Sequence, residues 1–260
     1  MIKRRILAAA LMAIVVIVLA MTTTGCERVP LSESRSSNRG AGAASSETTA
    51  AALGSARRMD ARIRMGVGSL KMSSVPSSTA AFDARFTFTL ESRRPQVAYA
   101  VDSTDGTPTA RLSVDQPEVG NPIPLGEVEN EWEVDLANGV PTDLSLELGV
   151  GEARIDLSGV DVRSIEAITG VGETVIDVSG PRANDMSGTI TSGVGELTVR
   201  LPRDVGVQVT GGGDGLGNVS SKGFKGSGTV LTNEAWSGPG PKISLKIVRG
   251  VGDVTLELVD

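Results

Sequence analysis

Histidine is absent from the 260 residues, and cysteine occurs once, at Cys26. These absences exclude histidine-based triads, disulfides and the common Cys/His zinc sites. With Cys26 expected to carry a lipid, no thiol nucleophile remains either. Aromatic residues make up only 3% of the chain, so any core must be aliphatic. After Met21 no stretch has the apolar periodicity of a helix of useful length. Bases are scattered, and acids outnumber them to give a net charge of −6. That balance argues against nucleic acid as a partner, because phosphate binding needs clustered Lys and Arg. Paired carboxylates or a Ser-Lys dyad remain available for chemistry, but neither is announced by a motif, and no cofactor is expected.

The amino terminus carries an address. Lys3, Arg4 and Arg5 precede an unbroken apolar run of sixteen residues from Ile6 to Met21. A helix crossing the ~30 Å hydrocarbon core needs about 20, so the run reads as the h-region of a signal peptide, residues 1–25, with an uncleaved helix as the alternative. Small residues then lead to the sole cysteine in Thr22-Thr23-Thr24-Gly25-Cys26. This resembles a lipobox, which implies diacylation of Cys26 and cleavage before it. Residues 26–57, rich in Ser, Ala, Gly and Thr, read as the lipid-attachment site followed by a flexible tether.

About two hundred residues remain, enough for one large β domain or two smaller ones. Thirty-two glycines suit a chain that turns often. Many of them belong to a recurring phrase, Gly-Val-Gly followed by an alternating strand: GVGSLKM, GVGEARIDL, GVGETVIDV, GVGELTVRL and GVGDVTLEL, with a weaker GLGNVS from Gly215. The corner glycines are Gly66 and Gly68, Gly149 and Gly151, Gly170 and Gly172, Gly193 and Gly195, Gly250 and Gly252. Beyond each corner, alternate positions are apolar, as in Ala153, Ile155 and Leu157. The alternation also runs backwards, through Leu144 and Leu146 or Leu245 and Ile247. Each unit is therefore strand, corner, strand, with one buried face.

The central units begin at 149, 170, 193 and 215, in steps of 21, 23 and 22 residues. A short, nearly constant period without helices predicts stacked β coils, a β-solenoid-like arrangement, with an antiparallel meander as the alternative. Between Gly66 and Gly149 lie Phe82, Phe86, Phe88, Tyr99 and Trp132, in alternating segments joined by Asp-Gly and Pro turns. This segment predicts an antiparallel β cap over the amino-terminal end of the stack. The fold class is thus all-β, with units at 58–145 and 146–260.

Three features invite a functional reading. Glu152, Glu173, Glu196 and Asp253 all stand at the position after the second corner glycine, so stacking would align the first three about 4.8 Å apart. Such a ladder offers a candidate metal site at Glu152, Glu173 and Glu196, against the simpler reading of a solvated face balanced by Arg154, Arg182 and Arg200. Asp156 and Asp177 would form a second pair. Gly211–Asn218 is glycine-rich but lacks the Lys-Ser/Thr of a phosphate loop, and reads as a degenerate corner. Trp236 reads either as a contact residue or as a cover for the end of the core.

Taken together, ARIRMGVGSLKM, the hairpin segment, VPTDLSLELGVGEARIDLSGVDV, TGVGETVIDVSG, GVGELTVRLP and KISLKIVRGVGDVTLEL resemble the toast-rack family of bacterial envelope proteins. The carboxy-terminal part is also similar to the extracellular region of LiaF-type cell-wall-stress proteins and to adhesin-like domains. The resemblance implies an envelope protein with a link to envelope stress. The expectation is a non-catalytic binding or scaffold module, held at the extracytoplasmic face of the cell membrane by the lipid on Cys26. Its partner would be an envelope protein or polysaccharide. The alternative is an enzyme acting on envelope polysaccharide through paired carboxylates.

Overall fold

The computed structural model describes residues 26–27, 29–37, 44–75, 79–117, 129–211, 215–227 and 229–260. The expected signal peptide, residues 1–25, lies outside the described residues. Strands β1 (Cys26–Glu27), β2 (Ser32–Ser37) and β3 (Ser45–Ala52) lead into a long strand β4 (Arg58–Val75). Then come β5 (Ala80–Phe88), β6 (Gln96–Asp102), β7 (Thr109–Asp115), β8 (Asn130–Ala137) and a second long strand, β9 (Thr142–Asp156). The rest comprises β10 (Val162–Val171), β11 (Thr174–Asp177), β12 (Met186–Val194), β13 (Leu197–Pro202) and β14 (Gly206–Gly211). The short strands β15 (Val219–Ser221), β16 (Lys225–Ser227) and β17 (Val230–Thr232) precede β18 (Lys242–Val251) and β19 (Val254–Val259). Among the described residues there is no α-helix, and none long and apolar enough to cross a membrane.

The pairings form two layers that share β4 and β9, each of which bends at its Gly-Val-Gly corner. The first layer runs β1-β6-β7-β4-β9-β10-β12-β18-β14-β17-β16. The second runs β2-β3-β5-β8-β4-β9-β11-β13-β19-β15. Pairing is parallel through the repeats and antiparallel at the amino-terminal end. The chain is therefore an open stack of coils with the expected antiparallel cap. Inward residues of both layers form one core, aliphatic along the stack and aromatic under the cap. There Phe86 meets Trp132 edge-on at 5.5 Å between ring centroids, and the Trp132 indole donates to Asn130 at 3.1 Å.

Two parts of the arrangement differ from the expectation. The stretch read as a tether supplies β2 and β3, and β3 pairs along β5. Its small residues Thr49 and Ala51 are buried, and buried Glu47 is held by both Nε and Nη2 of Arg94, at 2.7 and 2.9 Å. A low-hydrophobicity strand is stable here because an existing sheet edge supplies its partners. The division at 145/146 falls inside β9, which is continuous with β4 over both layers.

The second difference is the order of coils. The coil containing Gly250 does not follow the one at Gly215; it lies between the coils at Gly193 and Gly215. β18 pairs with β12 on one side and β14 on the other, and β19 likewise with β13 and β15. The weak GLGNVS unit is thus the terminal coil, covered in the first layer by the β16–β17 hairpin. A terminal repeat need not match the next one, which explains its degenerate pattern.

Candidate binding surface

The corners explain why glycine recurs in pairs. Gly151 has φ of +143°, and a Cβ there would overlap the carbonyl oxygen of Gly68 in the coil before; the second glycine of each later corner is set against its predecessor in the same way. Glycine is needed because backbone meets backbone with no space for a side chain. Side chains close both ends of this ladder. At the cap, Gln116 Oε1 accepts from the backbone N–H of Gly66 and Val67 at 2.8 and 3.0 Å, and Asn130 Nδ2 donates to the Val67 carbonyl. At the far end the Arg249 guanidinium donates to the carbonyls of Gly215 and Gly217. None of these three was singled out by the sequence, since each lies outside the repeated phrase or at a position that varies within it.

Held between two glycines, the middle residue of each corner points outward. Val67, Val150, Val171, Val194, Val251 and Leu216 form one in-register row across six coils. Four of these valines are about half exposed, and Leu216 is 72% exposed.

Two residues further along lies the acidic row. Backbone bonds from Ala153 to Glu173, Thr174 to Glu196, and Leu197 to Asp253, at 2.8 to 3.0 Å, place the four acids on successive coils. All four are exposed, and Asp253 Oδ1 accepts from the Asn218 backbone at 2.8 Å. The row is real, but the acids do not converge. Among the described residues no three His, Cys, Asp or Glu groups are arranged to hold a metal ion, so the geometry does not support a cation site at Glu152, Glu173 and Glu196. Strand spacing keeps neighbouring carboxylates apart and fully hydrated, which costs less than gathering them.

The other residues read from the sequence have structural work. Asp156 and Asp177 are in register, yet each accepts from the backbone and hydroxyl of the serine two residues on, Ser158 or Ser179, at 2.9 and 2.6 Å. They brace turns. Arg200 pairs with Glu257 at 3.1 Å and reaches Asp177 at 4.0 Å. Arg182 lies away from the acidic row, donating to the carbonyls of Val162 and Val178, and burial lowers its pKa. Trp236, on a 3-10 turn (Glu234–Ser237), is partly exposed and lies 5.6 Å from the Lys242 ammonium, which also donates to its carbonyl. Cys26 takes part in a short antiparallel bridge, its backbone opposite Asp102. Of the degenerate Gly211–Asn218 loop, Gly215 and Gly217 sit as corner glycines against Gly250 and Gly252.

The outer face of the first layer is laced with ion pairs. Arg58 meets Asp143 at 2.7 Å, Arg64 meets Asp115, and Arg111 lies 3.3 Å from both Asp60 and Asp102. Hydrogen bonds from the side chain and backbone of Thr104 hold Asp102 below the usual carboxylate range, with Arg111 adding to the effect. Burial pushes Asp115 up, but bonds from Ser113 and Arg64, with the charges of Arg64 and Arg62, outweigh it and leave its pKa lowered.

Residues 40–200, which carry β3 to β13 and so most of the cap and the coils at Gly66, Gly149, Gly170 and Gly193, match the N-terminal domain of toast-rack, DUF2154. The chain belongs to the toast-rack family. The family match begins within the stretch expected as a tether and runs through the coil at Gly193. Among solved structures, this toast-rack chain resembles a candidate cell adhesion protein from Clostridium sporogenes. The two are 25% identical with a TM-score of 0.73, over 82% of this chain and 99% of that one. A candidate adhesin from Bacteroides fragilis aligns at 14% identity and a TM-score of 0.30, over 87% of this chain and 97% of that one. No curated protein matches.

Proposed function

We propose that this toast-rack protein is a non-catalytic binding module of the bacterial cell envelope, anchored to the outer face of the cell membrane by a lipid on Cys26. The observation that carries the reading is the six-coil register, which repeats the same outward side chains along the stack instead of singling out one position. Repetition of that kind suits an extended partner, since each coil adds an equivalent contact. The adhesion assignment of the Clostridium sporogenes protein and the envelope setting of the family support it. Its partner is an envelope component, protein or polysaccharide, and the family resemblance connects it with envelope stress.

The test is to incubate the full chain with isolated cell wall, polysaccharide fragments and membrane extracts, measuring retention and cleavage products together. Retention without products is the expected result. Release of defined fragments, abolished by changing one carboxylate to its amide, would make the protein an enzyme instead.

A further inference from the structure

The row of corner side chains is apolar although the fold does not require it. Flanking glycines are enforced by backbone contact, but the middle residue is exposed in five coils and partly exposed at Val67, and it needs only an extended conformation, which Thr adopts as well as Val. All six coils nonetheless carry Val or Leu. At about 4.8 Å per strand the six form a ridge roughly 24 Å long. Ile168 and Val248, 45% and 41% exposed, add apolar surface on the first-layer side. A continuous exposed band of this kind on a folded domain marks an interaction surface.

The opposite flank has one sign of charge. Glu152, Glu173, Glu196 and Asp253 run beside the ridge as a rail. In the next row outward only Lys71 and Arg154 are cationic, and Lys71 pairs with Glu133 at 3.7 Å. Arg200, a row further out, is engaged by Glu257 and Asp177.

We propose that ridge and rail together form the docking surface for a basic amphipathic helix of a partner. The inference rests on the binding-module reading and specifies the partner's chemistry at this surface. A helix of about sixteen residues spans 24 Å, and its turns recur every 5.4 Å, close to the spacing of the coils. Its apolar face meets successive valines, while Lys or Arg along one flank meet the carboxylates. An extended strand laid along the ridge repeats its side chains about every 6.8 Å and falls out of step. A second copy docked ridge to ridge faces the rail with the row Arg64, Glu147, Ile168, Thr191 and Val248, whose one cation is paired with Asp115, and an anionic polymer is repelled by the rail.

The probe is a labelled helix of roughly eighteen residues, leucine on one face and lysine on the other, with a glutamate version as its counterpart. The full chain is held in neutral phosphatidylcholine nanodiscs, and the signal of empty discs is subtracted. The lysine peptide is expected to bind, gain helical circular dichroism, and weaken with added salt. Combined Val150→Ser, Val171→Ser, Val194→Ser and Val251→Ser substitutions reduce affinity about tenfold or more, equivalent to ~1.4 kcal/mol. The single exposed change Val171→Lys does likewise without threatening the fold. Glu152→Gln, Glu173→Gln and Glu196→Gln together remove most of the salt dependence. Equal binding of the glutamate peptide, or unchanged affinity in the Val171→Lys protein, overturns the proposal. So does a dimer in sedimentation that the ridge substitutions dissociate, because the ridge is then covered by a second copy. Retention on envelope fractions that survives every ridge substitution refutes this docking surface while leaving the binding-module reading intact.

Discussion

Arg249 donates from Nη1 to the carbonyl oxygen of Gly217 at 2.6 Å, so one coil's guanidinium closes the exposed corner of the next. Nη2 binds Gly215 at 3.0 Å. Among the described residues no further coil takes up these carbonyls, and the arginine satisfies them in its place. Arg249→Ala is expected to loosen the terminal coil by about 1.5–3 kcal/mol, the usual range for bonds from a charged donor. Amide hydrogen exchange should then accelerate at Leu216, Gly252 and Val254, whose N–H groups bond across that junction. The Thr174 amide, two junctions away, should keep its rate. Uniform acceleration would mean that the arginine supports the whole stack.

Gly151→Ala places a methyl group on the Gly68 carbonyl and forces an alanine to a φ near +143°. Both penalties act together, so a loss of roughly 3 kcal/mol or more is expected in the unfolding free energy read from urea titration. Gly139 provides the comparison, because its φ is +75° but no atom lies within 4 Å of an added Cβ. Alanine there should cost only about 1 kcal/mol. Similar losses at the two sites would show that backbone strain alone explains the glycine corners.

Asp102 and Asp115 have lowered pKa values in the folded state. Their contribution to stability is therefore present above the unfolded carboxylate value of about 3.9 and is lost as pH falls through the folded values. Unfolding midpoints should be flat from neutrality to about pH 5 and decline below about pH 4. In the Asp102→Asn, Asp115→Asn protein that decline should be shallower, read from thermal scans at fixed ionic strength. An unchanged slope would assign the acid sensitivity to other carboxylates.

Lipidation at Cys26 is tested by metabolic labelling. Labelled fatty acid is expected in the native chain and absent from Cys26→Ala, which should also accumulate as the uncut precursor. Equal incorporation in both proteins would rule out this residue as the attachment point.

The coil itself was legible because two local constraints coincide in it. Alternation in segments such as Leu144–Leu146 and Ala153–Leu157 shows which face is buried, and paired glycines mark where backbone meets backbone. The spatial sequence of coils was not legible, because equivalent alternation lets any coil stack on any other. A usable clue was present in GLGNVS: the positions that other coils bury with pairs such as Leu197 and Val199 hold Val219, which is exposed, and Ser221, as befits an end. β3 escaped notice because Thr49 and Ala51 are too small to announce a buried face, and the Glu47–Arg94 pair joins residues far apart in sequence. The acidic row was read correctly as a row, whereas separation of its members depends on backbone spacing that composition does not report.

The placement of β18 and β19 between older neighbours has a consequence for biogenesis. Residues 206–232 are made before residues 242–259, yet their parallel partners are those later strands. Until the later strands arrive, β14 has its own hairpin for company and β15 has no strand partner among the described residues. A chain stalled or clipped near residue 240 would therefore display two unfilled slots, one on each layer, with naked backbone along both. Such intermediates invite capture by foreign strands or by proteases. Only β18 and β19 fill those slots, so the last residues of the chain are what join its terminal coil to the rest of the stack.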